Sequence, residues 1–280
     1  YQRSETLQFN LELRFVMEVD SIRHMDQQSV VSVKNLLARS AMYQILSACF
    51  LYPEEKNFSV LKSPDFQEHV KDLVLCYEGI EGDAEFKKCL EEVCSLFAVT
   101  AIETLQRDYR RIVGHTMSKE CPLYETQFGV AQVFQQVHEL GDIQGFYKAF
   151  GVDTSDVERE RCDHVSVEME FMHFLLYKQA YALENHGDEK AQICVDAQKK
   201  FLKEHIGKWV PLFAVLFGRK AGDGFYVALS ALTKEFMRFE MKLMDVMTEI
   251  YKESDLNQEA VAGASDECLS CASSEDFSEE

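Results

Sequence analysis

Breakers of regular structure are scarce in this chain, which carries 13 Gly and 4 Pro in 280 residues. An all-β sandwich or barrel of this size needs a turn every ten residues or so, and such turns draw on Gly and Pro. Long uninterrupted helices need neither, so the scarcity predicts an all-α fold. Apolar residues make up 46% of the chain and aromatics 11%, enough to bury a sizeable core.

Apolar periodicity locates the helices. Leu37, Ala41, Ile45, Ala48 and Tyr52 recur at helical spacing from Lys34 until Pro53 ends the run, since proline cannot donate to the preceding turn. Further helices are expected over 64–78, 83–98, 99–113, 130–150, 156–186, 188–205 and 208–218. From Phe225 to Glu253 a single stripe runs through Leu229, Leu232, Phe236, Phe239, Leu243, Val246 and Ile250, which predicts one long helix packing across a bundle. No 20- to 50-residue repeat is visible, against a solenoid. These observations predict a single compact helical bundle-like domain over 29–253, flanked by a tail or extension over 1–28 and an acidic, Ser-rich, disordered tail over 254–280.

Charge narrows the partners. The chain holds 29 Lys and Arg against 48 Asp and Glu, a net charge of −19. Nine of those acids lie between Glu253 and Glu280, leaving 29 cations against 39 acids, or −10, on the rest. Nucleic-acid binding needs clustered cations and is not expected, whereas a basic partner is favoured. The odd count of 9 cysteines, scattered in apolar stretches, fits a reducing compartment better than a disulfide framework. No apolar run reaches the roughly 18 residues of a membrane span, so a soluble cytoplasmic protein without stable membrane insertion is expected.

The segment Gly114 to Gly129 interrupts the helical pattern with Cys121-Pro122-Leu123-Tyr124-Glu125-Thr126-Gln127-Phe128, too aromatic for an idle linker. At Glu160-Arg161-Cys162-Asp163-His164, Asp163 is placed to cap a helix whose first turns carry His164 and Glu168 on one face. The resulting acidic helix entrance is a candidate binding site. Glu170-Phe171-Met172-His173 has the Glu-x-x-His spacing of di-iron bundles, but no second copy occurs in the sequence to complete the site. Cys268-Leu269-Ser270-Cys271 lacks further zinc ligands nearby, and its acidic surroundings oppose a lowered thiol pKa. Signatures of nucleotide loops and of a nucleophile elbow are absent. No catalytic residue, cofactor or metal site is therefore assigned.

Four segments resemble the TorD/DmsD family of maturation chaperones for molybdopterin enzymes, and together they cover most of residues 34–250. They are Tyr43-Gln44-Ile45-Leu46 running to Tyr52-Pro53; Pro122-Leu123-Tyr124-Glu125-Thr126 with Gly145-Phe146-Tyr147-Lys148-Ala149-Phe150-Gly151; Glu160-Arg161-Cys162-Asp163-His164; and Phe201-Leu202-Lys203-Glu204-His205-Ile206 followed by Trp209-Val210-Pro211-Leu212-Phe213. The third departs from the family's Glu-Pro-x-Asp-His pattern in carrying Arg161 in place of proline. The resemblance implies an all-α protein, not an enzyme, that binds the twin-arginine leader of the catalytic subunit of a molybdopterin oxidoreductase and assists cofactor insertion before export. It implies either a monomer or a domain-swapped dimer. Leader arginines are expected at Glu160, Asp163 and Glu168, beside His164, with the apolar part of the leader against Tyr124, Phe128 and the aromatics of the first helix, and Glu125 is a further expected peptide contact. The alternatives are a metal-dependent helical-bundle enzyme using Glu170 and His173, and a nucleotide-modulated binding protein.

Overall fold

The computed structural model describes residues 27–55, 58, 84–114, 120–129, 133–152 and 160–256. Among these it contains eight α-helices: α1 (Gln27–Cys49), α2 (Ala84–Val99), α3 (Ile102–Val113), α4 (Val133–Ala149), α5 (Val165–Asn185), α6 (Asp188–Glu204), α7 (Ile206–Ala221) and α8 (Phe225–Leu243). The only β-type pairings among the described residues are two isolated bridges, Tyr124 with His164 and Phe128 with Leu256. The all-α expectation holds. The helix expected over 64–78, residues 257–280 with Cys268 and Cys271, and most of the 1–28 extension lie outside the described residues. No helix among them is long and apolar enough to cross a membrane.

Helices α1 and α5 pack along each other, as do α7 and α8, while α2 covers α8 and α6 packs on both α5 and α7. The apolar stripes meet in one core rich in rings: Tyr43 of α1 stands edge-on to Phe236 of α8 at 4.8 Å, and Phe50 meets Phe213 of α7 at 5.0 Å. Edge-to-face pairs of this kind add about 0.5–1.5 kcal/mol each beyond their buried area. A buried ion pair crosses the core. Arg39 of α1 donates from Nε and Nη2 to the two oxygens of Glu240 on α8, at 2.7 and 2.8 Å.

Helix α1 begins seven residues earlier than the periodicity predicts and ends three earlier. Phe50 and Leu51 donate to Leu46 and Ala48 in a closing turn, because the proline at 53 disfavours helical geometry in the residue before it. The stripe after Phe225 behaves differently from expectation. Helix α8 stops at Leu243, and Asp245 takes a left-handed φ of 51°. Val246 then donates back to the Met241 carbonyl at 2.9 Å, a helix-ending pattern that satisfies an orphan carbonyl. Val246 and Ile250 therefore lie on a strap instead of continuing the helix. Along that strap the Thr248 hydroxyl donates to Lys203 O at 2.7 Å, Tyr251 N to Lys208 O at 2.9 Å, and Gly129 N to Asp255 O at 2.6 Å. Residues 254–256, expected within the disordered tail, complete this strap with a short 3-10 turn at Glu253–Asp255.

The reversal between α6 and α7 has a single residue, His205, between the last and first helical positions. Gly207 makes it possible: a Cβ there would stand 2.2 Å from the Leu202 carbonyl oxygen. This junction aims His205 and Trp209, one turn later, at the loop that precedes α4.

Candidate functional site

Residues 121–129 hold only a short 3-10 turn at Glu125–Gln127, and part of their backbone pairs with the segment 160–165. Glu125 N donates to Asp163 O and Val165 N to Leu123 O, both at 2.9 Å. The Tyr147 hydroxyl, from the Gly145–Gly151 element, donates to Cys162 O at 2.8 Å and pins the same segment from below. Two stretches some 37 residues apart in sequence thus form one site.

Its outer face is built from Tyr124, Glu160 and Arg161. The Tyr124 hydroxyl donates to Glu160 Oε2 at 2.9 Å, and the Arg161 guanidinium lies 4.5 Å from the centre of the Tyr124 ring. Arg161 also grips Asp163 in bidentate fashion, Nε to Oδ1 at 2.5 Å and Nη2 to Oδ2 at 2.8 Å. Asp163 Oδ2 further accepts from the Thr126 backbone N–H at 3.2 Å and hydroxyl at 2.8 Å.

This geometry corrects the expectation of an open acidic helix entrance. Asp163 is fully buried and does not cap α5. The N-cap is His164, whose Nδ1 accepts from Ser166 N at 3.2 Å. Burial lowers the His164 pKa to about 4, so the ring is neutral, as an acceptor cap requires. Glu168, Glu125 and Phe128 are buried as well, and of the expected leader contacts only Tyr124 and Glu160 reach the surface.

Below this face lies a second polar layer. Glu168 accepts from the indole N–H of Trp209 at 2.9 Å, and burial together with the Glu125 carboxylate raises its pKa well above the usual range. Burial and the neighbouring carboxylate thus favour the neutral acid at Glu168. On its other side the Glu125 carboxylate meets His205 Nδ1, 3.2 Å from each oxygen. Phe128 packs on Trp209 at 5.2 Å between ring centres. Sequence reasoning missed Thr126 and His205 as site members, and treated Arg161 only as a departure from a motif. The signal available was the match at Phe201 to Phe213, which had not been tied to the 121–129 loop.

These elements span the part of the chain with known counterparts. A family described as the nitrate reductase delta subunit matches residues 81–215, which hold the 121–129 loop, the 160–168 segment, His205 and Trp209. Over 224 residues the chain is 26% identical to the perchlorate reductase assembly chaperone protein of Dechloromonas aromatica, covering 78% of this chain and 95% of that protein. The chlorate reductase assembly chaperone protein of Ideonella dechloratans is 34% identical over 74 residues, 26% of this chain and 37% of its own. Chaperone protein TorD of Photobacterium profundum is 26% identical over 99 residues, 35% of this chain and 44% of its own.

Across this region the chain is similar to TorD-like assembly chaperones.

Of the Glu-x-x-His pair on α5, His173 has a structural setting. His173 Nδ1 lies 2.8 Å from the Ser40 hydroxyl and 3.0 Å from the Ser40 carbonyl, linking α5 to α1. Neither Glu170 nor His173 joins the three-donor cluster found among the described residues. Burial raises the thiols of Cys49 and Cys121 to about 12, the reverse of what a nucleophile needs.

Proposed function

We propose that this TorD-like protein is a cytoplasmic chaperone, not an enzyme, for the catalytic subunit of a molybdopterin oxidoreductase. In this reading it binds the subunit's twin-arginine leader, delays export, and assists cofactor insertion and folding, as a monomer or a domain-swapped dimer. The names of its relatives, assembly chaperones for perchlorate and chlorate reductases and TorD, support the class of client. Acidity of the whole chain favours a basic partner.

One observation carries the site assignment: an exposed acid and a half-buried ring lie on the loop that contacts α4, which carries exposed apolar side chains. Glu160 and Tyr124 form the polar half. The Gln136 side chain donates to Thr126 O at 3.3 Å, which brings the N-terminal part of α4 alongside. There Phe134 is 81% and Val137 62% exposed. A leader arginine meets Glu160, beside the Tyr124 ring that already carries Arg161; the apolar stretch of the leader meets Phe134 and Val137. Asp163 is already paired with Arg161, so Asp163, His164, Glu125, Glu168 and Phe128 act by holding Tyr124 and Glu160 in place.

The test begins with copurification from the native host, expected to enrich one molybdoenzyme subunit with its leader attached. The captured leader, as a synthetic peptide, is then titrated calorimetrically into the protein. Glu160→Gln is expected to weaken binding about three- to tenfold, an exposed charge-assisted contact being worth about 1 kcal/mol. A leader whose two arginines are changed to lysine should also bind more weakly, having lost the planar fork. Recovery of general chaperones only, or equal binding by Glu160→Gln, overturns the reading.

A further inference from the structure

His205 is 3% exposed, and its two ring nitrogens have unequal surroundings. Nδ1 faces both oxygens of the buried Glu125 carboxylate at 3.2 Å. This carboxylate fixes the orientation of the ring. Nε2 is buried and makes no hydrogen bond. It lies 3.3 Å from Asp142 Oδ2 on α4, within ion-pair distance but without the alignment of a donor and acceptor. One carboxylate oxygen of Glu204, the last residue of α6, completes a group in which one donor atom from each residue lies within 4.8 Å of the others.

Nε2 is thus an unsatisfied buried polar atom turned towards two carboxylates, an arrangement that a bound cation completes. The spacing suits a metal ion. Two ligands about 2.1 Å from a tetrahedral ion are roughly 3.4 Å apart, close to the observed separation of Nε2 and Oδ2. The Asp142 and Glu204 side chains are 50% and 39% exposed, so an ion has a path from solvent and the carboxylates have room to close on it. The cations nearby are weak competitors. Lys200 reaches Glu204 only at 3.7 Å and is itself 60% exposed, a pairing that contributes little, and Lys208 acts on the half-buried Glu139, whose carboxyl adds to the acidity of the region.

We propose that Asp142, Glu204 and His205 form a binding site for one divalent transition-metal ion, with Glu125 as the positioning carboxylate behind the histidine. One nitrogen and two carboxylate oxygens make a donor set that suits zinc, manganese or iron(II). The ion ties α4 to the α6–α7 junction and, through Glu125, to the loop that carries Tyr124. The site is separate from Glu170 and His173.

The experiment uses the full chain, freed of metal by chelator and titrated with Zn²⁺ by calorimetry and with Co²⁺ by visible absorption. One ion per chain is expected, with cobalt bands typical of nitrogen and oxygen ligands. Asp142→Asn and Glu204→Gln, both at exposed positions, are each expected to lower affinity about tenfold or more, and the double variant to lose stoichiometric binding while keeping its helical circular dichroism. His205→Gln is expected to do the same if it folds. Cys268→Ser with Cys271→Ser should bind as the parent does. Absence of stoichiometric binding, a thiolate-to-cobalt charge-transfer band, or unchanged affinity in the Asp142 and Glu204 double variant overturns the proposal.

Discussion

Replacing Arg39 by methionine tests the buried pair between Arg39 and Glu240. The parent pair is bidentate, at 2.7 and 2.8 Å, with side-chain exposures of 7% for Arg39 and 0% for Glu240. Methionine keeps most of the volume and apolar contact of the arginine stem but leaves Glu240 without its cation in the core. Breaking a buried pair from one side costs about 3–5 kcal/mol, a large part of the roughly 5–15 kcal/mol that stabilises a typical domain. Removing both charges, as Arg39→Met with Glu240→Leu, eliminates two desolvation penalties along with the attraction, so the double variant should return to within about 1 kcal/mol of the parent or exceed it. The assay is urea unfolding at pH 7 followed by far-ultraviolet circular dichroism. The midpoint should move while the denaturant dependence stays constant, and a double-mutant cycle extracts the coupling. A cost below about 1 kcal/mol for Arg39→Met, or additive losses in the double variant, would refute the reasoning by showing that Glu240 finds solvent or another partner.

His164 has a folded pKa near 4, below its unfolded value, so its contribution to stability is complete above the unfolded pKa and is lost as pH falls towards 4. That loss is on the order of 3 kcal/mol, and His164→Asn, which can still cap α5, should flatten the stability profile in that window. Glu168 has the opposite sign: its folded pKa is raised, so its contribution is complete below the unfolded carboxyl pKa and is lost as pH rises. Glu168→Gln, which still accepts from Trp209, should therefore gain on the parent as pH rises from 4 to 8 in calorimetric melts. Trp209→Phe strips Glu168 of its 2.9 Å donor and should cost about 1–3 kcal/mol by denaturant unfolding. Gly207→Ala forces a Cβ against the Leu202 carbonyl and should cost about 1–3 kcal/mol, seen as a lowered Tm.

Helix positions were legible because period and punctuation are local properties. The expectation of 83–98 became Ala84–Val99, and that of 188–205 became Asp188–Glu204. The stripe after Phe225 misled at its end, since Val246 and Ile250 keep the helical spacing on paper. The chain leaves the helix at Asp245, where contacts of the strap with Lys203, Lys208 and Gly129 compete successfully with further helix. The site was legible as a set of residues and not as an arrangement. Pattern and resemblance picked Tyr124, Glu125, Phe128, Glu160, Asp163, His164 and Glu168, and the structure brings all of them together. It also turns most of them inward.

By itself, the sequence determined the helical class, the bounds of most helices, the acidic character and the two segments that form the site. Each follows from composition or from neighbours within a few turns. Only the tertiary structure decided which charges are buried. Asp163 is enclosed because Arg161 and Thr126 converge on it, Glu168 because Trp209 arrives 41 residues later, and His205 because Glu125 lies 80 residues before it. A carboxylate in sequence is equally an exposed grip for arginine or a satisfied member of a core network. Its environment depends on groups far along the chain, and burial of a charge is stable only where those groups meet it.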